Sequence, residues 1–266
     1  MATLFLVHAH PDDEAVSTGG VMMRAHEAGH RVVLVTATRG EEGEIYNMDE
    51  AESRPRLAEI RAEELRRADE ILGVDRQEFL GYRDSGMAGV PSNQDPASFH
   101  MAPLHEAAER LAALLREERP EVVVTYASDG TYGHPDHVKA HHVTVAALDL
   151  LAAEGWEPAA VYFHVIPRGL VEKLAERWRE SGLPEPTIQV IGTPDEEITA
   201  TVDVRDIAHR KREAFSAHLS QNNPDSPFQT MGDQIFESAF GYESFVLARG
   251  GTSSARTESD LFAGIR

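Results

Sequence analysis

The chain has 266 residues, 41% of them hydrophobic, which is enough to bury the core of one large domain. Its formal charge of −20 leaves no surplus of Lys and Arg to neutralise phosphates and excludes a general nucleic-acid binder. With Cys 0, disulfides, thiol nucleophiles and thiolate metal sites are excluded, so any metal must be held by His, Asp and Glu. No apolar run is long enough to span a bilayer, and the first residues lack the basic start of a secretion signal. The expectation is a cytoplasmic protein with no membrane partner.

In chain order, residues 3–9 read as a short apolar strand and 15–29 as an amphipathic helix ended by Gly29. A β-branched strand follows over 31–40, then an acidic irregular stretch, a helix over 56–74, and a short strand with a Gly-rich loop over 77–89. Residues 103–120 predict a helix, 121–130 a buried strand, and 134–155 a helix. The pattern closes with a strand at 160–166, a helix near 168–182, a strand at 198–204 and a helix over 205–221; 248–257 reads as a surface loop. Alternation of this kind predicts an α/β fold, a mostly parallel sheet covered on both faces, folded as one domain over 1–266. Ligand sites in such folds lie beyond the carboxyl ends of the strands.

Two motifs fall at such ends. "HAHPDDE" (8–14) follows the first strand, and "TYGHPDH" (131–137) follows the strand "EVVVTYAS". Three adjacent carboxylates repel one another, and a cation makes the cluster tolerable. His10, one aspartate and His137 form a candidate ligand set. Two imidazoles and a carboxylate with an open position describe a hydrolytic zinc site, in which the surplus aspartate takes a proton from water. The same donors describe an Fe(II) centre, so Fe2+ or another divalent ion stays open beside Zn2+. Either motif alone would also suit a plain helix start, its acids complementing the helix dipole.

"AHPDDE" with a distant "HPDH" resembles the signature of the LmbE-like, or PIG-L, superfamily of zinc-dependent N-deacetylases. "GEEGE" (40–44), "RAEELRRADEILGV" (61–74), "RDSGMAG" (83–89), "AHLSQ" (217–221) and "ESDLFAGI" (258–265) are similar to its actinobacterial mycothiol branch. That branch holds an N-acetylglucosaminyl-inositol deacetylase and a mycothiol S-conjugate amidase. The resemblance implies a Rossmann-like three-layer sandwich with a mostly parallel sheet. It implies His10, Asp13 and His137 as metal ligands and Asp12 as general base. His134 would assist the tetrahedral intermediate, Asp136 would orient it, and Tyr132 would stabilise the oxyanion.

The resemblance implies substrate contacts at Arg61 and Asp84, which match positions that recognise sugar hydroxyls in that branch, and at Glu44 and Ser17 in neighbouring matching loops; Arg and carboxylates suit such hydroxyls. His8 and His141 are alternative ligands by position; Met22 and Met23 read as core, His30 and His142 as surface, and His218 and Gln221 carry no assigned role. The expected activity is removal of acetate from an N-acetylglucosamine-type amide. S-conjugate amidase activity and a non-catalytic sugar- or nucleotide-binding module are the alternatives. The expected partner is a small amino-sugar amide, and homo-oligomerisation is left open.

Overall fold

The computed structural model describes residues 1–181, 190–251 and 259–265. Seven strands form one sheet: β1 (Thr3–His8), β2 (Arg31–Thr38), β3 (Arg76–Tyr82), β4 (Val122–Tyr126), β5 (Ala160–Val165), β6 (Ala200–Asp203) and β7 (Tyr242–Gly250). Their order is β3-β2-β1-β4-β5-β7-β6. The first five run parallel, while β7 lies antiparallel to both β5 and β6. The antiparallel β7 is a strand that the sequence pattern did not predict, and residues 248–250 of the expected loop belong to it. Gly251 follows the strand, and residues 252–257 of that loop lie outside the described residues.

Helices cover both faces: α1 (Asp13–Ser17), α2 (Gly19–Glu27), α3 (Leu57–Leu72), α4 (Leu104–Glu118), α5 (Pro135–Ala153), α6 (Arg168–Ser181), α7 (Ala208–Ala217) and α8 (Asp233–Phe240). The alternation within β1 shows why three layers form. Leu4 and Leu6 pack into one core with Met22, Leu65 and Ala214, from α2, α3 and α7. Phe5 and Val7 point the other way, into a core with Leu111, Leu115 and Val143 from α4 and α5. These four apolar side chains of β1 are fully buried, each worth roughly 1.5–3 kcal/mol of transfer free energy. Among the described residues no helix is long and apolar enough to cross a membrane.

The helix expected over 15–29 is two helices, because the backbone leaves helical geometry at Thr18 (φ −138°). Within α2, a Cβ at Gly20 would lie 2.5 Å from Val204 Cγ1, so α2 can approach the β6–α7 connection only without a side chain there.

β1 is flanked by β2 on one side and β4 on the other, so the chain reverses its direction of travel across the sheet at this point. The crevice beyond the carboxyl ends of β1 and β4 is therefore the topological switch point. Both histidine motifs emerge there.

Candidate metal centre and active site

His137 sits in the first turn of α5, one residue after Asp136, with Pro135 at the first helical position, where its missing N–H is not needed. Its Nδ1 meets the Gly130 carbonyl at 3.2 Å, so Nδ1 carries the proton and Nε2 presents a lone pair. That Nε2 is buried and has no hydrogen-bond partner among the described residues, yet it lies 3.3 Å from Asp13 Oδ1. Two electron-pair donors converging without a shared proton fit a cation between them. Gly130 (φ +64°) permits this arrangement, since a Cβ there would sit 2.8 Å from the His137 Cβ.

Asp13 reaches both histidines. Its Oδ2 lies 3.5 Å from His10 Nδ1 and accepts the His10 backbone N–H at 2.9 Å. The other ring nitrogen of His10, Nε2, faces Asp136 Oδ2 at 3.3 Å and Asp84 Oδ1 at 3.4 Å. With Nε2–H directed at carboxylates, Nδ1 is left as the donor atom. Burial opposes charge on all of these groups. Even so, Asp84, Asp13 and Asp136 hold His10 well above its ordinary value. The cluster demands positive charge beside His10, which a proton or a metal cation supplies. Ligand atoms of His10, His134 and His137 also lie within 4.8 Å of one another, as do those of His10, Asp84 and Asp136. The donor set of two or three imidazoles with carboxylates fits a divalent transition metal.

Asp12 precedes α1 in the left-handed region (φ 116°, ψ −29°), a conformation costing an aspartate about 1–3 kcal/mol. Its carboxylate accepts from Arg61 Nη2 at 3.1 Å. Burial pushes its pKa up to about 6, with Arg61 pulling it back. Arg61 itself is 3% exposed. It donates to the Gly40 carbonyl at 2.8 Å and to the Pro11 carbonyl, so it clamps the Asp12 loop rather than standing open to substrate.

His134 caps α5, and its Nδ1 accepts the Asp136 backbone N–H at 3.1 Å. The expected orienting role of Asp136 is thus carried by its peptide group. Its carboxylate is taken by His10, by the Ser85 N–H at 2.9 Å and by the Ser85 hydroxyl. The geometric reason is the helix start: Asp136 follows the cap directly, which places its N–H at the cap side chain and its carboxylate toward β1. Burial, then the charge on His10, lowers His134 to about 3, leaving a neutral ring with a proton on Nε2. Burial and the Asp13 charge push the Tyr132 phenol up, so it too is a neutral donor. Its ring stands edge-on to His137 at 4.9 Å.

A cavity of about 330 Å³ opens over these groups, lined at its polar end by Asp12, Asp13, Ser17, Tyr132 and His137. Ile166, Leu170 and Phe240 line its apolar wall. Asp84 is in the site but its oxygens are engaged by His10, the Gly86 N–H and the Glu42 N–H. Glu44 is not brought in: it is exposed and pairs with Tyr46. His8 uses both nitrogens on Thr18 and Tyr126, and His141 Nδ1 meets the Tyr126 carbonyl at 2.9 Å. Neither belongs to the metal cluster. His30 is half-buried, stacked on Phe262 at 4.1 Å, not a free surface residue.

Two residues of the site lie within stretches quoted above, Tyr126 in "EVVVTYAS" and Ser85 in "RDSGMAG", where neither was given a role. Tyr126, ending β4, donates to Asp13 Oδ2 at 2.7 Å, and Ser85 holds Asp136.

The family described as PIG-L, GlcNAc-PI de-N-acetylase, matches residues 5–148, a span that contains both histidine motifs. The chain belongs to the PIG-L family. A relative from Geodermatophilus obscurus, named 1D-myo-inositol 2-acetamido-2-deoxy-alpha-D-glucopyranoside deacetylase, is 41% identical over 98% of this chain and 97% of its own. Its counterpart of the same name from Thermomonospora curvata is 40% identical, covering 98% and 96%. Among solved structures, the N,N'-diacetylchitobiose deacetylase from Pyrococcus horikoshii is similar in fold, with a TM-score of 0.63 at 19% identity, covering 99% of this chain and 86% of that one. The three-layer architecture is that of the PIG-L family, and the chain is an amide-hydrolysing enzyme of it.

Proposed function

We propose that this enzyme removes acetate from an N-acetylglucosamine-type amide, with an acetylated glucosaminyl-inositol as the leading substrate and zinc as the metal. The observation that carries the reading is the partnerless, buried His137 Nε2 facing Asp13, with Asp12 on the same cavity wall. The naming of relatives that share about 40% of the sequence supports the sugar-inositol assignment. A cytoplasmic location remains our expectation.

His10, Asp13 and His137 would hold the ion. When bound it makes water acidic enough to attack near neutral pH and polarises the amide carbonyl. Asp12, raised by burial and steadied by Arg61, takes the proton of the attacking water. Tyr132 and the Nε2–H of His134 are neutral donors suited to the carbonyl oxygen as negative charge develops on it. Because His134 is neutral, the proton that leaves with the amine returns from Asp12. Ser17, on the cavity wall, is placed for a substrate hydroxyl.

The apolar wall of Ile166, Leu170 and Phe240 favours a second reading, an amidase acting on a thiol S-conjugate with an apolar substituent. A panel of acetylated glucosaminyl-inositol, simple N-acetylglucosamine and a thiol S-conjugate separates the two. Highest kcat/KM on the first is expected; preference for the conjugate would reverse the order.

A further inference from the structure

Behind Asp12 lies a pair of titratable side chains that the reaction scheme does not use. Glu14 and His218 are each 0% exposed. His218 Nε2 meets Glu14 Oε1 at 2.6 Å, and His218 Nδ1 has no hydrogen-bond partner, so the imidazole is aimed at Glu14 alone among the described residues. The second oxygen, Glu14 Oε2, accepts the backbone N–H of Asp12 at 2.8 Å. That peptide belongs to the residue in the left-handed conformation, φ 116°. Arg61 grips the same loop from the other side through the Pro11 carbonyl.

A fully buried carboxylate is tolerable only when hydrogen-bonded, and a strained backbone persists only where its surroundings over-determine it. Both conditions meet at Glu14. His218, delivered from the end of α7 far along the chain, fixes the carboxylate; the carboxylate fixes the Asp12 peptide. We infer that Glu14 and His218 are positioning residues that tether the Asp12 peptide in its left-handed turn and so hold its side chain on the cavity wall. The inference rests on the reading of Asp12 as the base. It gives the third carboxylate of "PDDE" and the histidine of "AHLSQ" one shared task.

The test compares the metal-loaded enzyme with Glu14→Ala, Glu14→Gln, His218→Phe and His218→Gln. It reads kcat, KM, metal stoichiometry and the hydrogen-exchange rate of the Asp12 amide. Glu14→Ala is expected to lower kcat about 100-fold, the scale of a misplaced catalytic group, with KM and metal content unchanged and the Asp12 amide exchanging faster. Glu14→Gln, whose side-chain carbonyl still accepts the Asp12 N–H, restores most of kcat and of the protection. If Glu14→Ala does not fold, the His218 pair carries the test: Phe removes the donor to Glu14 and lowers kcat, and Gln supplies a donor and recovers it. A role in packing alone would lower stability or metal content and leave Gln no better than Ala. Wild-type kcat with unaltered Asp12 exchange in the Glu14 variants overturns the inference while the proposed activity stands. A wild-type enzyme that hydrolyses no amide defeats the activity, and the exchange measurement still decides the tether.

Discussion

The phenol of Tyr126 donates to Asp13 Oδ2 at 2.7 Å while its ring stacks on His137, with centroids 4.3 Å apart and planes 21° from parallel. One side chain thereby fixes two of the candidate ligands. The Ala9 N–H, donating to the same hydroxyl at 2.9 Å, keeps its oxygen from swinging away. Tyr126→Phe keeps the stacked ring and deletes the anchor. It is expected to weaken metal binding about 10–100-fold, with excess metal restoring turnover. Metal titration followed by activity checks this, and an unchanged affinity would show that Asp13 needs no anchor.

Asp12→Asn preserves shape and removes the acceptor for water's proton. A fall in kcat of about 10²–10⁴ with full metal content is expected. Steady-state kinetics alongside metal analysis tests it; near wild-type turnover would take the base assignment from Asp12.

Arg61 joins Gly40, Pro11 and Asp12 through one guanidinium. Arg61→Met leaves buried oxygens without a donor and should cost about 3 kcal/mol, along with a loss of kcat. Arg61→Lys should recover little, since an ammonium cannot reproduce the fork. Thermal melts and kinetics on the two variants decide it, and a lysine variant equal to wild type would contradict the clamp.

Asp69 on α3 is 7% exposed, and its Oδ1 has no hydrogen-bond partner. Burial, reinforced by the charge of Glu14, pushes its carboxyl up to about 8. In the unfolded chain it ionises near the ordinary value of about 3.9. Between those two values the native state keeps a proton that the unfolded state has released, so this group makes stability fall as pH rises. The penalty is absent below the window and complete above it. Asp69→Asn removes it, so the variant should gain on wild type from about pH 5 to about pH 8, by at most about 1.4 kcal/mol per pH unit. Urea midpoints across that range test the sign; parallel curves would refute it.

His10, His137 and an aspartate beside them could be picked out of the sequence as local patterns after apolar runs, whose ends parallel strands bring together; only the family resemblance chose Asp13 over Asp12. Arg61 could not be read the same way. As one arginine on a charged helix it resembles a solvated residue, and only the return of the Gly40 loop over α3 buries it. Tyr126 and Ser85 act through single hydrogen bonds set by register, which composition does not encode. β7 was missed for another reason: it mixes Glu243, Ser244 and Arg249 with apolar residues, so it lacks the continuous run of the parallel strands. The antiparallel pairing with β5 and β6 is what makes it a strand.

The position of β1 between β2 and β4 also has a temporal side. A nascent chain that has emerged only through β3 already carries His10, Asp13 and the Arg61 clamp, but lacks His137 and the tyrosine that steadies Asp13. Ribosome-bound fragments of that length would therefore hold a divalent ion loosely, and firm capture would wait until α5 has docked. If His10, Asp13 and His137 hold an ion as proposed, its tight retention would report that both halves of the crevice have met.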